Sequence, residues 1–194
     1  MIILRKDKLN LVEPDNAVMN APPALYDFTN EGASAPGVST VLFERMKQLG
    51  GVGLSANQVG LDMRVFVMGL GETKIAVFNP EITEYSNTEE LFNEGCLSYP
   101  GIMLGIKRPT KIKAKYQDET GQIIEQEFNG LTARIFQHEY DHMNGTDYTH
   151  RVSKFKLDYA KKKFENKRKK IIKKYAVKTM IEALNGNKDS NWIW

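Results

Sequence analysis

The sequence predicts an α+β fold: antiparallel β-sheets packed around a central helix, with a helical C-terminal extension. Three observations carry that expectation. Between about residue 63 and 128, short runs rich in β-branched and aromatic residues are joined by glycine-containing turns, with no regular βαβ alternation. A helical stretch, Leu131 to Asn144, follows the last of them. From Ser153 the pattern changes again, and apolar residues recur at broadly helical intervals among lysines. At 194 residues the chain suits one domain with an appendage, and the pattern change divides it into 1–152 and 153–194.

Taken in order, residues 1–36 are irregular, punctuated by Pro14, Pro22, Pro23, Gly32 and Pro36. Pro22 to Phe28 is a candidate short helix, with proline tolerated in its first turn. Ser39 or Thr40 is placed to cap a helix running to about Leu49, ended by Gly50 and Gly51. In the stretch Gly51 to Gly60, the two close glycines let the backbone run extended and approach another group closely. It completes no phosphate-binding pattern, but Gln58 offers a neutral donor. Met63 to Met68 and Lys74 to Phe78 read as strands. Asn79-Pro80 is expected to break the second, and Glu81 to Ser86 to resume it. Asn93 to Gly101 reads as a loop. Ile112 to Tyr116 and Ile123 to Phe128 form the clearest hairpin, turning at Asp118 to Gly121. Beyond Ser153 lies one long helix or two, ending near Asn185-Gly186, and Asn187 to Trp194 read as a loose end.

The net charge of +3 is unevenly placed. Ser153 to Lys174 holds eleven Lys and Arg against Asp158 and Glu165, a net of +9. The last twenty residues balance, so residues 1–152 carry −6. An acidic body is joined to a basic tail, and such a tail has two natural partners, nucleic acid or an anionic membrane surface. No apolar run reaches the ~18 residues of a membrane span. The first residues turn charged too soon for a secretory signal, and a single cysteine fits a reducing compartment. A cytoplasmic protein is expected.

Chemistry concentrates in Gln137-His138-Glu139-Tyr140-Asp141-His142-Met143-Asn144-Gly145. On a helix, His138 and His142 lie one turn apart on one face, able to hold one metal ion, with Glu139 beside it and not needed as a ligand. Two of the three histidines of the chain are spent here. The longer protease-type pattern, H-E-x-x-H-x-x-G-x-x-H, fails at Tyr148, so a third ligand must come from elsewhere. The one cysteine, Cys96, lies in Glu94-Gly95-Cys96-Leu97-Ser98, near glycines and a proline and away from any apolar run. That setting suits a ligand thiolate better than a core side chain. Metal-assisted hydrolysis is the chemistry such a set supports.

Three stretches together resemble peptide deformylase, whose members carry G-x-G-L-A-A-x-Q, E-G-C-L-S and Q-H-E-x-D-H-x-x-G in that order. This chain has Gly51 to Gln58, Glu94 to Ser98 and Gln137 to Gly145. It departs once, with Ser55 where the family usually has alanine; a buried hydroxyl there needs a partner. The resemblance implies removal of the N-formyl group from the initiator methionine of nascent polypeptides, with release of formate. It implies one divalent ion on Cys96, His138 and His142, Fe²⁺ by family habit, with Zn²⁺, Ni²⁺ or Co²⁺ tolerated. Metal-bound hydroxide would attack the formyl carbon, with Glu139 as general acid and base. Gln58 and the Leu97 backbone N–H would steady the oxyanion. By motif position, Val52, Gly53, Gly95, Tyr99 and Ile135 would contact the substrate, although Ile135 reads equally well as core. Gln137 and Asp141 are candidates to brace the ligands, Glu94 and Arg108 to pair, and His150 to be structural or exposed. The basic tail would dock on ribosomal RNA. Two other function classes stay open: a peptidase on the same metal chemistry, and a non-catalytic RNA-binding protein. Against the second, every residue of the chemistry is present.

Overall fold

The computed structural model describes residues 9–29, 32 and 34–184. They fall into two units, divided after Val152. The first unit has helix α1 (Ala35–Gln48), strands β1 (Gly53–Ser55), β2 (Val65–Leu70), β3 (Thr73–Tyr85), β4 (Glu89–Cys96), β5 (Tyr99–Pro109), β6 (Lys111–Gln117) and β7 (Ile123–Asn129), and helix α2 (Gly130–Met143). Short 3₁₀ turns occupy Ala17–Met19, Ala56–Val59 and Tyr148–Arg151. Strands β1-β2-β3-β6-β7 form one antiparallel sheet, and β4-β5 a separate two-stranded ribbon. Helix α2 packs against β1, β2, β6 and β7 and also against β5, so it lies between the sheet and the ribbon. The fold is α+β with antiparallel sheets around a central helix, as the sequence predicts.

Alternation along the strands sorts side chains onto two faces of the sheet. Val65 and Val67 of β2 enter a core with Val38 and Leu42 of α1, Leu54 of β1 and Phe78 of β3. Their neighbours Phe66 and Met68 enter a second core with Val77, Ile112, Phe128 and the α2 residues Ala133, Phe136 and Met143. Phe136 is fully buried and packs edge-on against Phe66, with ring centroids 5.0 Å apart, and beside Phe128 at 4.9 Å. This packing holds α2 on the sheet.

Four local expectations are corrected. Helix α1 begins a turn before Ser39, capped by Ser34 with Pro36 in its first turn. The Ser39 and Thr40 hydroxyls turn back to the Pro36 carbonyl instead of capping. Pro22 to Phe28 is not helical. Its backbone is held from outside: the Ala24 N–H donates to Asp62, Arg64 N–H donates to the Ala24 carbonyl, and Asn79 bonds both the N–H and the carbonyl of Tyr26. Strand β3 runs through Asn79-Pro80, where a shift in register against β6 absorbs the proline and Asn79 takes a left-handed φ of 49°. Asn93 to Gly101 is no open loop but the end of the β4-β5 hairpin, joined by the two residues Leu97 and Ser98. The β6-β7 hairpin forms as expected, with Asp118 Oδ1 accepting from the N–H groups of Thr120 and Gln122.

Among the described residues, the second unit holds one helix, α3 (Lys154–Leu184). Phe155, Tyr159 and Tyr175 are exposed on it, and Lys154 pairs with Asp158 one turn on, at 2.7 Å. The end of this helix and the Asn187 to Trp194 segment lie outside the described residues. Among the described residues, no helix is long and apolar enough to cross a membrane.

Because Phe136 is fully buried where the α2 packing meets the sheet, Phe136→Ala should destabilise the protein by about 3–5 kcal/mol, measured by urea unfolding.

Candidate metal centre

Helix α2 divides its sides by function. Ala133, Phe136 and Met143 face the second core. Ile135, His138, Glu139 and His142 follow helical spacing on another stripe. Across from that stripe, the β4-β5 hairpin brings in Cys96 at its turn. Cys96, His138 and His142 each offer a ligand atom, and these atoms lie within 4.8 Å of one another. Cys96 Sγ is 3.5 Å from His142 Nε2. His138 turns its Nδ1 to Glu94 Oε2 at 3.1 Å, which leaves Nε2 for the centre.

One thiol and two imidazoles converging like this fit a borderline-soft divalent ion such as Zn²⁺ or Fe²⁺. Electrostatics agree. Burial would raise the Cys96 thiol, but the His142 and His138 imidazoles beside it bring it down to about 6. Burial would lower His138, but its bonds to Cys96 and Glu94 raise it to about 10. The neighbouring imidazoles thus favour the thiolate, the form in which a cysteine binds a cation.

Glu139 is buried. Its Oε2 accepts a hydrogen bond from Ser55 Oγ at 2.5 Å, which is the partner the Ser55 hydroxyl requires. The carboxylate also lies against Gly53, where a Cβ would overlap it, and this accounts for glycine at that position. Gln58 accepts from the Ser55 N–H through Oε1 and donates through Nε2 to Ser98 Oγ at 3.0 Å and Cys96 Sγ at 3.3 Å. Asn57 reaches back to α2, donating to the His142 carbonyl at 2.9 Å.

A buried ionic network supports the centre from behind. Arg108, with no exposed surface, bonds both oxygens of Glu94 and also Asp141 Oδ2. Arg134 adds a bond to Glu94 Oε1 at 2.7 Å, and Arg151 pairs with Asp141. Burial alone would raise the Glu94 carboxyl. The hydrogen bonds from His138 and Arg108, the Arg108 charge and the Arg134 bond instead hold it down at about 2. Gln137 bonds the Pro109 carbonyl, and His150 is mostly exposed beside Asp147.

Two cavities meet at the centre. One of about 170 Å³ is lined by Val52, Gly95, Ile135 and His138 together with Phe92, Leu131 and Arg134. A larger one of about 510 Å³ includes Gly53, Gln58, Cys96, Leu97 and Tyr99. The residues expected to meet substrate are therefore divided: Tyr99 lines the second cavity, with its hydroxyl on Asp147, and is absent from the lining around Ile135. Sequence reading missed Ser55 as a partner of Glu139, and Phe92, Leu131 and Arg134 as wall residues. Leu131 was legible, lying one turn before Ile135 on the same helix face. Phe92 was not, because it sits on a strand that the sequence does not reveal.

Glu94 keeps its charge in the fold far below its ordinary 4.5. The stability it contributes is present above that value and should be lost as pH falls from about 4.5 towards 2, because the unfolded chain binds the proton first. Glu94→Gln should abolish that part of the acid transition. At pH 7 it should cost about 3–5 kcal/mol in urea unfolding, since it leaves buried guanidinium charge unpaired.

The family model for polypeptide deformylase matches residues 11–158. A curated peptide deformylase of Thermotoga maritima is 46% identical over 122 residues, 63% of this chain and 74% of that protein. Peptide deformylase 1B, chloroplastic/mitochondrial, of Arabidopsis thaliana is 36% identical over 180 residues, 90% of this chain and 64% of that one. Among solved structures, a peptide deformylase from Synechococcus elongatus in complex with actinonin aligns with a TM-score of 0.75 at 30% identity, over 81% of this chain and 86% of that chain. The matched segment takes in both sheets, the central helix and all three motifs, and the chain belongs to the polypeptide deformylase family.

Proposed function

We propose that this chain removes the N-formyl group from the initiator methionine of nascent polypeptides, with Glu139 carrying the proton and one divalent ion held by Cys96, His138 and His142. The observation that supports this most is the convergence of those three ligand atoms within 4.8 Å beside a buried Glu139, in a chain of this family. The bound cation supplies a Lewis acid and lowers the pKa of a water at the reacting carbon. Thiolate and imidazole ligands accept Fe²⁺, Zn²⁺, Ni²⁺ or Co²⁺; Fe²⁺ is the ion taken here because the resemblance to peptide deformylases implies it, not because the ligands prefer it.

The protein's own groups do the rest. Water adds to the formyl carbon while Glu139 takes its proton, and the same carboxyl hands that proton to the amine as the C–N bond breaks. The products are formate and a free amino terminus. Negative charge grows on the former carbonyl oxygen. Gln58 Nε2, whose bond to Cys96 Sγ is the longer of its two, and the Leu97 N–H are the donors that steady it. The 170 Å³ cavity takes the methionine side chain between Val52, Phe92, Leu131 and Ile135, against the His138 ring. Gly53 and Gly95 offer backbone hydrogen bonds to the peptide, and Tyr99 borders it from the larger cavity.

Residues 1–152 form the catalytic domain in this reading. Residues 153–194 form a basic extension that binds ribosomal RNA near emerging chains, with phosphate contacts dominating. The protein then works in the cytoplasm, where its substrate is made.

Formate release from formyl-Met-Ala-Ser by anaerobically purified protein tests the reaction. Release should stop on chelation and return with Fe²⁺ or Ni²⁺. Glu139→Ala should lower kcat by about 10²-fold or more while one metal per chain is retained, read by metal analysis on the same sample. No release from a fully metallated sample rejects the reading. Ribosome co-sedimentation of the full chain should fall as salt rises, and a chain lacking 153–194 should pellet less at low salt; equal pelleting rejects the RNA contact.

A further inference from the structure

Ser55 ends β1 with no exposed surface. Its hydroxyl and its backbone N–H point into different parts of one site. The hydroxyl donates to Glu139 Oε2 at 2.5 Å, and the N–H donates to Gln58 Oε1 at 3.0 Å. Gln58 then donates from Nε2 to Ser98 and Cys96. One small residue on the edge strand thus joins the carboxylate on α2 to the amide that faces the cysteine ligand. Among the described residues, no other group donates a hydrogen bond to the Glu139 side chain.

A glutamate has three side-chain torsions, and its carboxyl turns readily about the last. A carboxylate that must first accept a proton and then release it to a second atom has to present one oxygen at one place through both steps. The Ser55 bond holds Oε2. The Gly53 backbone, open because it has no Cβ, receives the other side of the group at Oε1. Held at one oxygen and bounded at the other, the carboxylate has one orientation left.

We propose that Ser55 is a positioning residue for deformylation: its hydroxyl anchors Glu139 Oε2 and so fixes the orientation in which the carboxyl exchanges the proton. The proposal rests on the reading of Glu139 given above. Ser55 touches neither substrate nor metal in this role and acts only through Glu139.

The test compares wild type with Ser55→Ala and Ser55→Cys, each with metal content measured, in formate release from formyl-Met-Ala-Ser. Removing a hydrogen bond to a charged group should lower kcat about tenfold in Ser55→Ala, with KM and metal content little changed. Ser55→Cys, which keeps a weaker donor, should fall between. In a Glu139→Asp background the shorter carboxylate is already out of reach of Ser55, so adding Ser55→Ala should cost little more. Crystal structures of wild type and Ser55→Ala should show Glu139 in one orientation in the first and displaced or divided in the second. An unchanged kcat in metallated Ser55→Ala, a tenfold loss repeated in the Glu139→Asp background, or an undisturbed Glu139 in the variant structure would each overturn the proposal. Wild type inactive when metallated would instead reject the role given to Glu139, and the variant structures would still decide whether Ser55 holds it.

Discussion

Everything at the candidate metal centre depends on a charge that the fold has buried and must therefore pair. Glu94 lies on β4, Arg108 on β5, and Arg134, His138 and Asp141 on α2, so their contacts join the ribbon to the central helix. A lone carboxylate or guanidinium at such depth would be strongly disfavoured, and only the assembled set is tolerable. The ribbon cannot drift from the helix without separating these charges. That requirement is what brings Cys96, two residues along from Glu94, against histidines more than forty residues away. The second apolar core fixes α2 on the sheet; the ionic network fixes the ribbon on α2.

The imidazole of His138 shows how this reaches the chemistry. Its Nδ1 faces Glu94, so the ring orientation is set by the same carboxylate that holds the two arginines. On the other side, Glu139 is bounded by Gly53 and bonded by Ser55 of β1. The centre is thus gripped from two directions, by a charged set on the ribbon side and a small neutral set on the sheet side. The neutral set lies wholly outside the helix that carries the histidines, whereas the charged set spans from the ribbon onto it.

Much of this was legible in the sequence, for reasons that differ by element. The two histidines one turn apart needed only the helical period, and the β6-β7 hairpin announced itself through alternation and Asp118 to Gly121. Cys96 could be singled out from its setting. Its structural context could not, because β4 exposes nearly all its side chains from Glu89 to Asn93 and so lacks the alternation that marks a half-buried strand. The start of α1 was hidden because Ser34-Ala35-Pro36-Gly37 resembles a turn, although a serine cap with proline in the first turn is also a helix start. Pro22 to Phe28 misled in the other direction. Its conformation is dictated by partners such as Asp62 and Asn79, far along the chain, and no local pattern encodes them. The link from Ser55 to Glu139 spans 84 positions, and only the folded chain brings the two together.

The turn at Leu97-Ser98 sets a limit on how this chain can diverge. Pairing between β4 and β5 shifts register between Glu94 and Cys96, so the placing of the thiol depends on the exact residue count there, and one residue gained or lost would move it relative to the histidines. The turn at Asp118 to Gln122 carries no such ligand, and its tip is exposed. Length variation in descendants of this sequence is therefore tolerable at the far hairpin and closed off at the near one, however similar the two look as pieces of β-structure.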